Sequence, residues 1–276
     1  MIKVLIIFGT RPEAIKMAPL VKALTNDKRF EIKTCVTAQH REMLDQVLSF
    51  FEIVPEFDLN IMKSNQTIYD VTSKILLGIE DVIKNYKPDY VLVHGDTTTS
   101  MASSIAAFYQ QIKIGHVEAG LRTNNLYSPF PEEANRQIIS VLSDINFVPT
   151  KESKVNLLKE NKNNIHVTGN TVIDALFYTI NKFKNDKHLE VNAINIIENE
   201  YKFDMQRKII LVTGHRRENF GDGFIKICIA LKEIAINNQE IDIVYPVHLN
   251  PNVRKPVIDL LSNVKNIYLI EPLAYY

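Results

Sequence analysis

Ile2-Lys3-Val4-Leu5-Ile6-Ile7-Phe8-Gly9-Thr10-Arg11-Pro12-Glu13 opens as an apolar, β-branched run and breaks at a glycine. Such a run fits a short strand buried on both faces. Glu13 to Leu24 follows as a helix, with Ile15, Ala18 and Val21 on a mostly apolar face. The alternation continues outward from this unit. Glu31–Val36 reads as a strand, Arg41–Phe51 as a helix, and Thr67–Tyr86 as the clearest helix of the chain. In the last, Ile68, Val71, Ile75, Ile79, Val82 and Tyr86 recur at spacings of three and four. That stripe serves either a core or an interface, and core is the commoner use. Tyr90–Val93 is a strand, Thr98–Tyr109 a helix, and Ile112–Val117 a strand. Pro131 suits the first position of a further helix, with Glu132 and Glu133 in its first turn. Strands alternating with helices imply right-handed crossovers and a parallel, doubly wound α/β sheet.

The 276 residues exceed a typical single domain and predict two. Residues 1–180 form the first lobe, and 181–207, charged and weakly patterned, reads as a hinge. A second series starts at 208: strand Lys208–Val212, a helix from about Asp222, strand Ile241–Val247, a helix from Pro251, and strand Ile267–Ile270. Three strands by Tyr276 are few for a doubly wound lobe, so residues 208–276 read as the start of one. Apolar faces on Ile241–Val247 and Ile267–Ile270 are then expected to lack part of their packing.

Lys plus Arg and Asp plus Glu both total 32, a net charge of zero that argues against a nucleic-acid binder. A few local cations still suffice for one small anion. No apolar run reaches the roughly 18 residues of a membrane span, and the chain opens directly on a strand, so the cytoplasm is the expected compartment. Cys35 and Cys228 lie far apart in apolar surroundings and predict neither a disulfide nor a metal pair.

The polar residues gather just after the predicted strands, where ligands of such sheets bind. Gly9-Thr10-Arg11 before a helix start is either an anion site or a plain turn, and Lys16 falls one turn further on. The GxGxxG and GxxxxGK[ST] patterns are both absent there, which removes the main support for dinucleotide and P-loop readings. The next two strand ends read His94-Gly95-Asp96-Thr97 and His116-Val117-Glu118-Ala119-Gly120. Neighbouring strands thus carry Asp96 and Glu118 to one edge, with Glu132 at the following helix start. Asp96 also suits a helix cap and Glu132 a helix dipole. Three converging carboxylates would repel one another and hold their protons at different pH, as general acid–base work requires. The two His-x-carboxylate pairs permit a metal-dependent hydrolase as an alternative. In the second series, His215-Arg216-Arg217 at a strand end suits a phosphate-bearing ligand, while His248 has no obvious structural purpose.

Phe8 to Pro19, Val93 to Thr97, His116 to Thr123, Ser128 to Arg136, His215 to Glu218 and Glu271-Pro272-Leu273 together resemble the non-hydrolysing UDP-N-acetylglucosamine 2-epimerases, in the same order. The resemblance implies two Rossmann-like lobes of the glycosyltransferase B type, with the second lobe incomplete. It implies the interconversion of UDP-GlcNAc and UDP-ManNAc by elimination and re-addition of UDP, in the supply of surface polysaccharide precursors. Asp96, Glu118, Glu132 and His215 match its catalytic positions, and Arg11 and Lys16 its substrate site. Gln39, Arg216 and His248, with Glu132, match an adjacent activating site of several bacterial members, from which Glu42 and Asn65 depart. A homodimer through first-lobe helices is implied, and neither metal nor nicotinamide is. Family members continue past the position of Tyr276 with a Ser-Gly-Gly-x-Gln-Glu-Glu segment that binds the diphosphate. The chain as it stands is therefore expected to be a poor catalyst. A hydrolysing relative, an inactive remnant and a glycosyltransferase of the same fold are the alternatives.

Overall fold

A computed structural model describes residues 1–38, 41–63, 66–201, 204, 206–214 and 221–273. The chain divides into two compact units, Met1–Ile180 and Asn181–Tyr276. The first opens with β1 (Ile2–Phe8), α1 (Arg11–Thr25), β2 (Phe30–Val36), α2 (Arg41–Phe50), β3 (Phe57–Asp58) and α3 (Ile68–Tyr86). It continues through β4 (Tyr90–His94), α4 (Thr98–Tyr109), β5 (Lys113–Val117), α5 (Glu132–Leu142), β6 (Ile145–Val148), α6 (Lys151–Lys159), β7 (Ile165–Val167) and the larger part of α7 (Thr171–Asn185). The strands form one sheet in the order β3-β2-β1-β4-β5-β6-β7. Every pairing in it is parallel.

The order reverses between β1 and β4, which makes their carboxyl ends the topological switch point. Leu5, Ile7, Val91 and Val93 of the two central strands pack on Ile75, Ile79, Val82 and Ile83 of α3 and on Ala102, Ala106 and Ala107 of α4. The α3 stripe is therefore core, although Ile68 at its start is 48% exposed. Thr67 caps α3, and Asp70 returns the bond by accepting the Thr67 N–H at 2.8 Å.

The second unit holds α8 (Lys187–Tyr201), β8 (Lys208–Leu211), α9 (Asp222–Asn237), β9 (Ile241–Pro246), α10 (Pro251–Leu261) and β10 (Ile267–Ile270). Its three strands, among the described residues, are parallel in the order β10-β9-β8. Phe224 and Cys228 of α9, Val253, Val257 and Leu261 of α10, and Ile243 and Tyr245 of β9 make its core.

Two expectations change here. Most of the supposed hinge is helical, because Ile197 and Tyr201 sit four apart on α8 and pack on Val244 and Ile270. The exposed apolar surface also lies elsewhere than expected. The middle of β9 is buried, since strands flank it on both sides, while Ile209, Ile210 and Leu211 of the edge strand β8 are exposed. No described helix is long and apolar enough to cross a membrane.

Candidate active site

A buried glutamate sets up the switch point. Glu13, 2% exposed, lies in the first turn of α1. Its Oε2 accepts the N–H groups of Gly9 at 3.1 Å and Thr10 at 2.8 Å. Its Oε1 accepts the hydroxyls of Thr97 at 2.6 Å and Ser100 at 3.2 Å. One carboxylate thus ties the β1–α1 turn to the start of α4. Burial pushes its carboxyl above the usual 4.5, against the pull of its hydrogen bonds from Thr97, Thr10 and Gly9. Gly9 admits no side chain, for a Cβ there would lie 2.1 Å from Thr37 Oγ1 and 2.5 Å from Thr99 Oγ1.

Around this joint the parallel register delivers the acidic residues. β4 and β5 pair with His94 opposite Val117, so Asp96 and Glu118 leave the same edge. Glu118 adopts a left-handed φ of 61°, an unusual conformation for a residue with a Cβ. Lys16 Nζ donates to both its oxygens, at 2.8 and 2.6 Å, and Asn170 Nδ2 donates to Oε2 at 2.8 Å. Asp96 accepts from Arg136 Nη2 at 2.6 Å, and its carbonyl accepts from Asn135 Nδ2 at 2.8 Å. Arg136 is held in turn by Glu133 at 3.1 Å. Glu133 is fully buried and also accepts the N–H groups of Thr123 and Asn124, which anchors the loop beyond β5. Burial opposes its ionisation, but these N–H groups with Gln137 and Arg136 bring its carboxyl below the usual 4.5.

Glu132 is the first residue of α5, one position later than expected, because Pro131 takes the capping position. Its Oε2 is buried and has no hydrogen-bond partner among the described residues. Arg11, at the first position of α1, makes no hydrogen bond or ion pair among the described residues. Among the described residues, the edge therefore presents a guanidinium with no partner, a carboxylate oxygen with none, and two carboxylates held by cations.

His94 and His116 are both buried, 4% and 1% exposed. Burial drives their rings down to about 3 and about 4, so both are neutral near pH 7. His116 Nε2 bonds the Gly95 carbonyl at 2.7 Å, and His94 Nε2 stops 3.9 Å from Glu118. The carboxylates of the two His-x-carboxylate pairs go to Arg136 and Lys16. Among the described residues no cluster of three or more His, Cys, Asp or Glu is placed to hold a metal.

His215, Gln39 and Arg216 lie outside the described residues. His248 is exposed in the second unit, and its Nδ1 accepts the Asn250 N–H at 3.1 Å. Sequence reasoning assigned no role to Arg136, Glu13 or Asn170 and gave Glu133 only a dipole role. Arg136 was findable, one helical turn beyond Glu132. Asn170 was not, because it follows β7, whose three residues carry no clear pattern.

A family profile described as UDP-N-acetylglucosamine 2-epimerase matches residues 22–276. The UDP-N-acetylglucosamine 2-epimerase of Campylobacter jejuni is 63% identical over 275 residues, covering 99% of this chain and 72% of that protein. The chain belongs to the UDP-N-acetylglucosamine 2-epimerase family. The resemblance carried by the strand-end motifs is thereby borne out. The Escherichia coli K12 family member is 58% identical over 277 residues, with the same coverage of 99% and 72%. Among solved members, a Neisseria meningitidis enzyme bound to UDP-GlcNAc superposes with a TM-score of 0.89 at 53% identity, covering 99% of this chain and 73% of that one. A Methanocaldococcus jannaschii member in complex with UDP-GlcNAc and UDP gives 0.77 at 31%, covering 99% and 74%. A Rickettsia africae glycosyltransferase, at 15% identity and a TM-score of 0.56, covers 99% and 69% and shares the fold alone.

Proposed function

We propose that this chain is a non-hydrolysing UDP-GlcNAc 2-epimerase, which interconverts UDP-GlcNAc and UDP-ManNAc by eliminating UDP and adding it back. The observation that carries the reading is the carboxylate set at one sheet edge in a member of this family. Glu118 is held by Lys16 and Asn170, Asp96 is held by Arg136, and Glu132 keeps an unpartnered oxygen. Inversion at C2 needs a group to take the proton from one face and another to return it on the opposite face. Asp96, Glu118 and Glu132 fill these roles. Arg11 and Lys16 hold the diphosphate, and His215 stabilises the charge that develops on it as it leaves. Elimination and re-addition leave the sugar's oxidation level unchanged overall, so no redox cofactor is called for.

We assign Gln39, Arg216 and His248, with Glu132, to a second nucleotide-sugar site. The product would serve surface polysaccharide precursors, and the protein acts as a homodimer through first-unit helices. Support for the dimer comes from Leu77 of α3, Phe108 and Tyr109 of α4 and Val141 of α5, exposed by 54–69%. With the α3 stripe committed to the core, only such outward positions remain for an interface.

The deciding experiment incubates the protein with UDP-GlcNAc in deuterated buffer and follows UDP-ManNAc and deuterium at C2 by NMR. Asp96→Asn, which nearly preserves shape, should slow the exchange by about 10²–10⁴-fold while leaving UDP binding largely intact. Undiminished exchange removes Asp96 from proton transfer. Free N-acetylmannosamine in place of UDP-ManNAc would assign the chain to the hydrolysing branch.

A further inference from the structure

Asn170 stands between Gly169, past the end of β7, and α7. Its side-chain oxygen accepts the Val172 N–H at 3.0 Å, the bond that caps the helix. The cap fixes the orientation of the amide: with the oxygen committed to the backbone, the NH₂ group is the part turned toward Glu118. There Nδ2 donates to Glu118 Oε2 at 2.8 Å. Among the described residues, Lys16 and Asn170 are the two side chains that hold this carboxylate directly. They hold it in different ways. Lys16 is a flexible cation, free to turn to a competing anion. Asn170 is short, neutral and locked by the helix it caps.

We propose that Asn170 is a positioning residue for Glu118, a neutral donor that keeps one carboxylate oxygen aimed when the Lys16 ammonium turns to an anionic diphosphate. The inference rests on the proposed proton transfer by Glu118. A carboxylate that must both take up and release a proton needs its direction fixed without its charge being locked in. An ammonium favours the ionised form strongly, while an amide orients it with a weaker bias. Among the described residues, the other titratable groups facing Glu118 are His94 at the end of β4, 3.9 Å away with its Nε2 unpartnered, and His116 on its own strand.

Two variants separate positioning from capping. Asn170→Asp retains the capping oxygen, since aspartate caps about as well as asparagine, but sets an acceptor where Glu118 needs a donor. Asn170→Ser also caps, with a hydroxyl too short to reach Glu118. For Asn170→Ser we expect kcat for C2 deuterium exchange to fall about tenfold, KM to stay within about twofold, and the pH profile to keep its position. For Asn170→Asp the profile should move to higher pH by about one unit, because two carboxylates in contact share a proton. Thermal midpoints of both should lie within about 3 °C of wild type.

Carbon-13 NMR of the glutamate carboxyls gives a reading free of turnover. The Glu118 signal in Asn170→Asp should titrate at higher pH than in the unaltered protein. An unmoved Glu118 signal and an unmoved pH profile in Asn170→Asp would overturn the proposal. So would a large fall in thermal midpoint in both variants, which keep the cap, since the amide's bond to Glu118 would then be a structural tie and not a positioning contact. If the unaltered protein exchanges no deuterium, as expected of a poor catalyst, the Glu118 signal still decides the role of Asn170.

Discussion

Replacing Glu13 by alanine takes the acceptor from four donors at once: the N–H groups of Gly9 and Thr10 and the hydroxyls of Thr97 and Ser100. The hydroxyls have other outlets. Ser100 already bonds the His94 carbonyl at 2.6 Å, and Thr97 can turn to Ser100 at 3.2 Å. The two backbone donors have none, and an orphaned buried N–H costs about 1–3 kcal/mol. Relief from burying a charge offsets part of this, so Glu13→Ala should lose about 3 kcal/mol of stability. Glu13→Gln keeps one oxygen for both N–H groups and offers its NH₂ to the hydroxyls, so it should lose about 1 kcal/mol or less. Urea unfolding at neutral pH measures both. A loss below about 0.5 kcal/mol for the alanine variant would refute the view that Glu13 joins the two turns.

The pH dependence supplies a second check. Burial raises the Glu13 carboxyl above 4.5, so between that pH and its raised value the folded state binds the proton and the unfolded state does not. The stability it contributes is therefore present below 4.5 and lost as pH rises through the folded value. Glu13→Gln has no such slope. The stability of the unaltered protein relative to this variant should thus increase as pH falls from neutral toward 4.5.

His94 and His116 predict the opposite slope, because their folded values, about 3 and about 4, lie below the usual 6.5. Their contribution is full above 6.5 and is lost as pH falls, up to about 5 kcal/mol for His94 and about 3 kcal/mol for His116. His116→Asn should flatten the acid side of a stability–pH curve. Gly120→Ala should destabilise by about 2–4 kcal/mol, since φ is +84° and the new Cβ would meet the Ser153 carbonyl oxygen at 2.4 Å. A shift of less than about 1 kcal/mol in urea would show that the turn after Glu118 yields easily. Sedimentation at micromolar concentration should show a dimer, and a monomer would count against the proposed helix interface.

Legibility in the sequence followed the range of the interactions. Ile2–Phe8 and the repeat of Val71, Ile75, Ile79 and Val82 declare a buried strand and a core helix, because burial imposes those periods locally. Strand–helix alternation then fixes parallel pairing, and parallel pairing puts Asp96 and Glu118 at one edge. That much the sequence determined alone, and the ordered motifs added the family. Chain order carries no record of which distant groups meet. Only the tertiary structure brought Lys16 and Asn170 onto the same carboxylate from opposite ends of the first unit. It also turned Glu133 inward to hold Arg136 and the loop, where a helix start by itself suggests an exposed dipole partner. The supposed hinge became helix for the same reason. Ile197 and Tyr201 are sparse in sequence, and a helix forms there because Val244 and Ile270 give its weak apolar face something to cover.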